Sequence, residues 1–217
     1  WIAQSPLGAV WFSIDAGDND PVRFWDYVIA AIQNFYPAIG EKTLTLLHEP
    51  QPLPIETILS SLINELSALP DLLTIVLDDY HLIESSAIHD GLAFLVDYMP
   101  TQMRLIITTR TDPPLPLARM RVRSQLLELR SADLRFSQQQ IADFFTDVMG
   151  LKLTSDEVTA LDTRVEGWIA GLQLAGLALQ GKTDKAGFIA SFAGDHHYVL
   201  DYLGDEILDR QPEVIQQ

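Results

Sequence analysis

Cysteine is absent from all 217 residues. That excludes a disulfide framework, a thiolate metal site and a thiol nucleophile, and it fits a reducing cytosolic compartment. Basic residues are scarce: 14 Lys and Arg face 30 Asp and Glu, for a formal charge of -16. A field of that sign repels phosphates, so nucleic acid binding by these residues is not expected. Long apolar runs are missing too. The longest uncharged one, from Gly167 to Gly181, is too short to cross a bilayer and contains two glutamines, so a buried helix is its expected form and no membrane partner is expected. The chain opens WIAQSPLGAV, with neither an initiator Met nor a signal-peptide pattern. No fixed-period repeat or low-complexity tract occurs. The expectation is an excised piece of a longer cytoplasmic protein.

What is present is a chain 47% hydrophobic, enough for one well-buried core or two modest ones. Ala9 to Ile14 is a short β-rich run that stops at the polar segment Asp15 to Asp20. Asp20 before Pro21 marks a helix start, and Phe24, Val28, Ile32 and Phe35 recur at helical spacing to about Tyr36. A proline-rich connector, His48 to Pro54, precedes a second apolar stripe over Ile55, Ile58, Leu59, Leu62, Ile63 and Leu66. The runs Leu72 to Leu77 and Arg104 to Thr109 lack polar alternation, which suits strands covered on both faces of a parallel sheet. A helix over 87–98 lies between them, completing a parallel crossover.

Beyond Arg110 the prolines at 113, 114 and 116 enforce an extended loop. A short basic helix is expected near 118–122 and a last strand at Gln125 to Leu129. Then the pattern turns wholly helical. Ser137 with Gln140 and Thr154 with Glu157 form capping boxes, stapled by Phe136 with Ile141 and by Leu153 with Val158. The expected fold class is α/β, an incomplete P-loop NTPase-type parallel sheet followed by a small all-helical domain. Its expected divisions are 1–130, 131–181 and 182–217.

In open parallel sheets, ligands gather at the carboxyl ends of the strands. Here those ends carry Asp15, Asp78 with Asp79, and Thr109 with Arg110. An apolar strand closed by two acids can present one carboxylate to a magnesium shell and the other to an attacking water. The plainer reading is that the acids only stop a strand, with Arg110 paired to one of them.

The segments WFSIDAGDNDPVRFWDYVIAAIQ, TIVLDDYHLI, RLIITTR, GWIAGLQLAGLAL and HHYVLDYLGDEIL, in that order, resemble the large ATP-binding regulators of the LuxR family, the MalT-like branch of the STAND signal-transduction ATPases. The resemblance implies that Asp78 is the Walker B metal aspartate, Asp79 its catalytic acidic neighbour, and Arg110 a sensor arginine reading the end phosphate beside Thr109. It implies ATP or ADP with Mg2+ as cofactors of the longer protein, slow ATPase activity there, a small-molecule inducer, self-association, and DNA binding through a further C-terminal domain. It also implies that 182–217 begins a winged-helix region.

The departures count as well. No G-x-x-x-x-G-K-[ST] loop is present; Lys42 with Thr43 is the nearest imitation and lacks the loop pattern. The chain is therefore expected to begin just past that loop and, alone, to be inactive and to hold no cofactor. Where the family often has a nucleotide-contacting proline, this chain reads Gly171-Leu172-Gln173. His196 and His197 suit surface or capping roles, and Trp168, Leu172, Leu174, Leu177 and Leu179 look like core. The resemblance thus implies a piece of an ATP-dependent transcriptional regulator acting as a nucleotide-gated switch, and two other readings stand beside it: a protein interaction module that binds no nucleotide, and a nucleotide-independent hydrolase with Asp15, Asp78 and Asp79 as metal ligands.

Overall fold

A computed structural model describes residues 8–191 of the chain, which divide into two compact units meeting in sequence at Leu126 and Leu127. The first unit is built around a three-stranded parallel sheet, β1 (Gly8–Ser13), β2 (Leu73–Asp78) and β3 (Met103–Ile107), in the spatial order β1-β2-β3. Register pairs Ser13 with Asp78 and Leu77 with Ile107, so all three strands end along one rim. The crossovers are α1 (Pro21–Gln33), α2 (Glu41–Leu47) and α3 (Ile55–Ser67) before β2, and α4 (Ser86–Asp97) before β3; α5 (Leu117–Val122) follows. The α/β class expected from the sequence is the class observed.

Burial distinguishes the strands. Every residue of β2 except Asp78 is buried, as its unbroken apolar run requires of a strand covered on both faces. β3 is the exception to that expectation. It lies at the margin of the described sheet, so Arg104 and Ile106 stay exposed. The core beneath is dense: Phe24, Trp25, Ile29, Ile32, Leu59, Leu62, Leu66 and Leu73 are fully buried, each contributing about 1.5–3 kcal/mol of transfer free energy. Phe24 and Trp25 meet edge to face, 5.2 Å apart. Helix α4 crosses close to Trp25 at Gly91, where a Cβ would stand 3.1 Å from the indole.

Two local expectations need correcting, and one helix was not expected. Helix α1 stops at Gln33 because Pro37 disfavours helical backbone at Tyr36, and Phe35 is left half exposed. Residues 41–47, which carry the supposed imitation of a phosphate-loop lysine, form α2; Lys42 is exposed on it, and Glu65 of α3 holds its start by accepting from the Gly40 N–H at 2.8 Å and the Thr43 hydroxyl at 3.3 Å. The strand expected at 125–129 does not form. Those residues lack a partner strand among the described residues, and Leu127 is 86% exposed.

The second unit holds α6 (Gln138–Asp143), a five-residue π-helical turn (Phe144–Val148), α7 (Ser155–Val165), α8 (Ile169–Leu179) and α9 (Lys185–Ser191). Both capping boxes form as expected: Ser137 with Gln140, and Thr154 with Glu157. Ile141, Phe145, Leu161, Leu172, Ala175, Leu179 and Ile189 make its core. Gly167, at φ +69°, closes α7 against Phe136, whose carbonyl a Cβ would approach to 2.5 Å. Helix α8 is apolar on all sides, yet only one side meets this core, so Trp168 and Leu177, expected to be buried, are substantially exposed. His196 and His197 lie outside the described residues, as do the segments 1–7 and 192–217.

Candidate functional site

The rim where the strands end is built by the chain's own register. β2 closes on Asp78, whose carbonyl accepts the Ile14 N–H at 3.1 Å and so ties the exit of β1 to it. Leu77 accepts from Thr108 N–H, and Thr108 accepts from Tyr80 N–H, both at 3.0 Å, so the backbone after β3 brackets the acid pair. Between these anchors Asp79 takes left-handed backbone at φ 57° and ψ 38°, a conformation acidic side chains tolerate better than most. It starts a short 3₁₀ turn, Tyr80 to Leu82.

The threonine that meets the acids is Thr108. Its hydroxyl donates to Asp78 Oδ1 and its oxygen accepts from Asp79 N–H at 3.0 Å. Thr109, singled out from the sequence, instead donates its hydroxyl to the Thr111 carbonyl at 2.7 Å. The same two-residue alternation that sends β3 side chains to opposite faces separates the two threonines. Asp78 and Asp79 are both partly buried, and Arg110 is exposed.

His81 is the residue that sequence reasoning passed over. Its Nδ1 is buried without a hydrogen-bond partner and lies 3.8 Å from Asp79 Oδ1. Burial holds its pKa below the ordinary histidine value; the Arg110 charge pushes the same way and Asp79 opposes. No spacing rule could have marked it, because its closeness to Asp79 depends on the left-handed turn. Tyr80 points the other way, into the core, where its hydroxyl meets His89 Nδ1 at 2.8 Å. Burial raises the Tyr80 pKa above the tyrosine range.

The polar segment after β1 is an anchor. Asp15 accepts from Gly17 N–H at 2.6 Å, and the buried Asp18 accepts from Asp15 N–H at 2.9 Å while Arg23 Nε stands 3.2 Å away as its counter-charge. Asn19 reaches across the rim. Its amide donates to the Leu82 carbonyl at 2.9 Å and its oxygen accepts from Glu84 N–H at 2.6 Å and Ser85 N–H at 3.2 Å. The turn carrying Asp79 and His81 is thereby pinned to the end of β1.

This geometry decides one open reading. Asp15, Asp78 and Asp79 do not converge, and among the described residues no three His, Asp or Glu lie where they could hold a metal ion. The metal-ligand triad is therefore overturned. A single rigid carboxylate at Asp78 still suits magnesium, which is commonly held by one or two protein carboxylates together with waters and substrate phosphates. The donors here are hard oxygens, Asp78 and the Thr108 hydroxyl, as that ion requires.

No protein-family model matches the chain. It is, however, 38% identical over 213 residues, 97% of its length, to the HTH-type transcriptional regulator MalT of Yersinia enterocolitica. It is 37% identical over 212 residues to MalT of Serratia proteamaculans, and 38% identical over 213 residues to MalT of Yersinia pestis. The chain spans 23% of the length of each of these relatives. The resemblance drawn from the ordered motifs is thus found along nearly the whole chain.

Proposed function

We propose, with similarity to MalT regulators over 97% of the chain as the premise, that this is the Walker B half of the nucleotide site in an ATP-gated transcriptional regulator working in the cytoplasm. The observation that carries the reading is the pair Asp78 and Asp79 at the end of a buried parallel strand, both held by Thr108. Bound magnesium and ATP would supply a polarised terminal phosphate. Asp78 would offer one carboxylate oxygen to the metal shell, Asp79 would orient the attacking water, and Arg110, beside Thr109, would face charge developing on the end phosphate.

The remaining parts follow from the same premise. A phosphate-cradling loop is not among these residues, so the chain alone would bind nucleotide weakly or not at all and would not hydrolyse it. Inducer sensing, self-association and DNA binding would belong to the longer protein, the last because a field of this sign repels phosphates. No helix of the described residues is long and apolar enough to cross a membrane.

Calorimetric titration of ATP and ADP with magnesium tests this, applied to the chain and to a longer polypeptide that adds the sequence preceding Trp1. The longer polypeptide is expected to bind both nucleotides, and Asp78→Ala to weaken magnesium-dependent binding by about tenfold, the equivalent of about 1.4 kcal/mol. Absence of binding by the longer polypeptide, with Asp78→Ala making no difference, would sink the proposal in favour of an interaction module.

A further inference from the structure

The helical unit carries a shallow, open groove lined by Phe136, Gln140, Asp143, Phe144, Asp147 and Val148. Its shape comes from the π-helical turn, in which Met149 N–H donates to the Phe144 carbonyl, five residues back, at 3.1 Å. The extra residue per turn lets Phe145 enter the core completely, while Phe144 is only partly buried and packs edge-on against Phe136, 6.2 Å between ring centres. Val148 is 69% exposed beside them. Such π-turns persist where function offsets their poorer hydrogen bonding.

The rim of the groove is charged in one sense. Asp143 and Asp147 stand one turn apart, a spacing at which like charges destabilise a helix. Neither is paired with a Lys or Arg among the described residues; Asp143 accepts only from the Gln139 amide, at 2.9 Å. An apolar floor between two exposed, uncompensated carboxylates complements a cationic, amphipathic ligand. The chain's own residues 192–217, with Asp195, Asp201, Asp205, Glu206, Asp209 and Glu213 against a single Arg210, carry the wrong sign to fill it.

We propose that this groove docks a short basic amphipathic segment of a partner protein. An aliphatic or aromatic anchor would seat on Phe136, Phe144 and Val148, and Lys or Arg side chains would lie against Asp143 and Asp147.

The test is an NMR titration of the isotope-labelled chain with a short acetylated, amidated peptide carrying Lys and Leu at helical spacing around one central Phe. A counterpart with Glu in place of Lys serves as its control. The Lys peptide is expected to shift the amides of residues 136–148 and the Glu peptide to leave them unmoved. Asp143→Asn with Asp147→Asn is expected to weaken binding about five- to tenfold, the loss of two exposed ion pairs. Val148→Ser is expected to weaken it separately; all three side chains are exposed, so neither variant should melt below wild type, and the Asn double variant, relieved of the like-charge pair, should melt at or slightly above it. Failure of the Lys peptide to bind, shifts on another face, or equal binding of the Glu peptide would overturn the proposal. Self-association of the free chain that the Asp143→Asn, Asp147→Asn double variant abolishes would also overturn it, assigning the groove to a second copy.

Discussion

Thr108 donates its hydroxyl to Asp78 Oδ1 while accepting the backbone N–H of Asp79. One side chain after β3 therefore fixes both the carboxylate of the first acid and the left-handed backbone of the second. Thr108→Val keeps the shape and removes both bonds. It is expected to lower stability by about 1–3 kcal/mol, since a hydrogen bond to a charged group and one to backbone are lost together. Thr109→Val should stay within about 0.5 kcal/mol. Urea unfolding of the two variants decides the matter, and equal losses would mean that Thr108 is not the clamp.

Asn19 makes the longest-range polar link of the rim, bonding residues 63 to 66 positions away. Asn19→Ala removes all three bonds and is expected to lose about 2 kcal/mol or more. Asn19→Asp keeps the acceptor for the Glu84 and Ser85 N–H groups and loses the donor to Leu82, so its loss should be smaller. Hydrogen exchange adds the local readout: amides of the turn at 80–85 should exchange faster in Asn19→Ala, while those of α3 should not change.

In the helical unit, Ser137 and Thr154 each accept an N–H at the start of a helix, from Gln140 at 3.4 Å and Glu157 at 3.3 Å, and each donates its own backbone N–H to the Gln140 or Glu157 side chain in return. Ser137→Ala and Thr154→Ala are each expected to cost about 1 kcal/mol. Gly167→Ala should cost more, because its backbone is left-handed and a Cβ would meet the Phe136 carbonyl. Thermal melts rank the three, and a Gly167→Ala variant as stable as the cap variants would contradict the packing described.

The fold was legible where one force dominated. The apolar run at 72–77 suited a strand covered on both faces, and the two capping boxes at 137 and 154 announced their helices through side-chain chemistry alone. The strand end that carries Asp78 and Asp79 was legible, because the apolar run stops there. Beyond that, tertiary context took over. Thr108 rather than Thr109 faces the acids because of strand register, and His81 approaches Asp79 only through a positive φ. Residues 125–129 look like a strand by composition, but a strand exists only beside another strand, and among the described residues no strand pairs with them. α2 went unseen because seven residues carry too little periodicity, and Glu65 from α3 supplies its cap.

Tyr80 and His89 make stability depend on pH at both ends of the scale. Burial lowers the His89 pKa, with Asp90 opposing, so the folded protein favours the neutral ring. The unfolded chain takes up a proton below about pH 6.5. Stability from this group is therefore complete above that value and is lost as pH falls toward the depressed folded pKa. Tyr80 runs the opposite way. Burial raises its pKa, so the unfolded chain ionises near pH 10 while the folded one does not, and stability is lost as pH rises above that point. Carboxylates and His81 also titrate in acid, so the measurement is a difference: urea unfolding of wild type minus His89→Gln from pH 5 to 8. That difference is expected to move in favour of His89→Gln as pH falls, because glutamine has no charged form to exclude. Tyr80→Phe should remove the loss above pH 10 while leaving the carboxylate titration intact. A wild-type minus His89→Gln difference that is flat across the range would show that the half-buried ring is not what the folded state holds neutral.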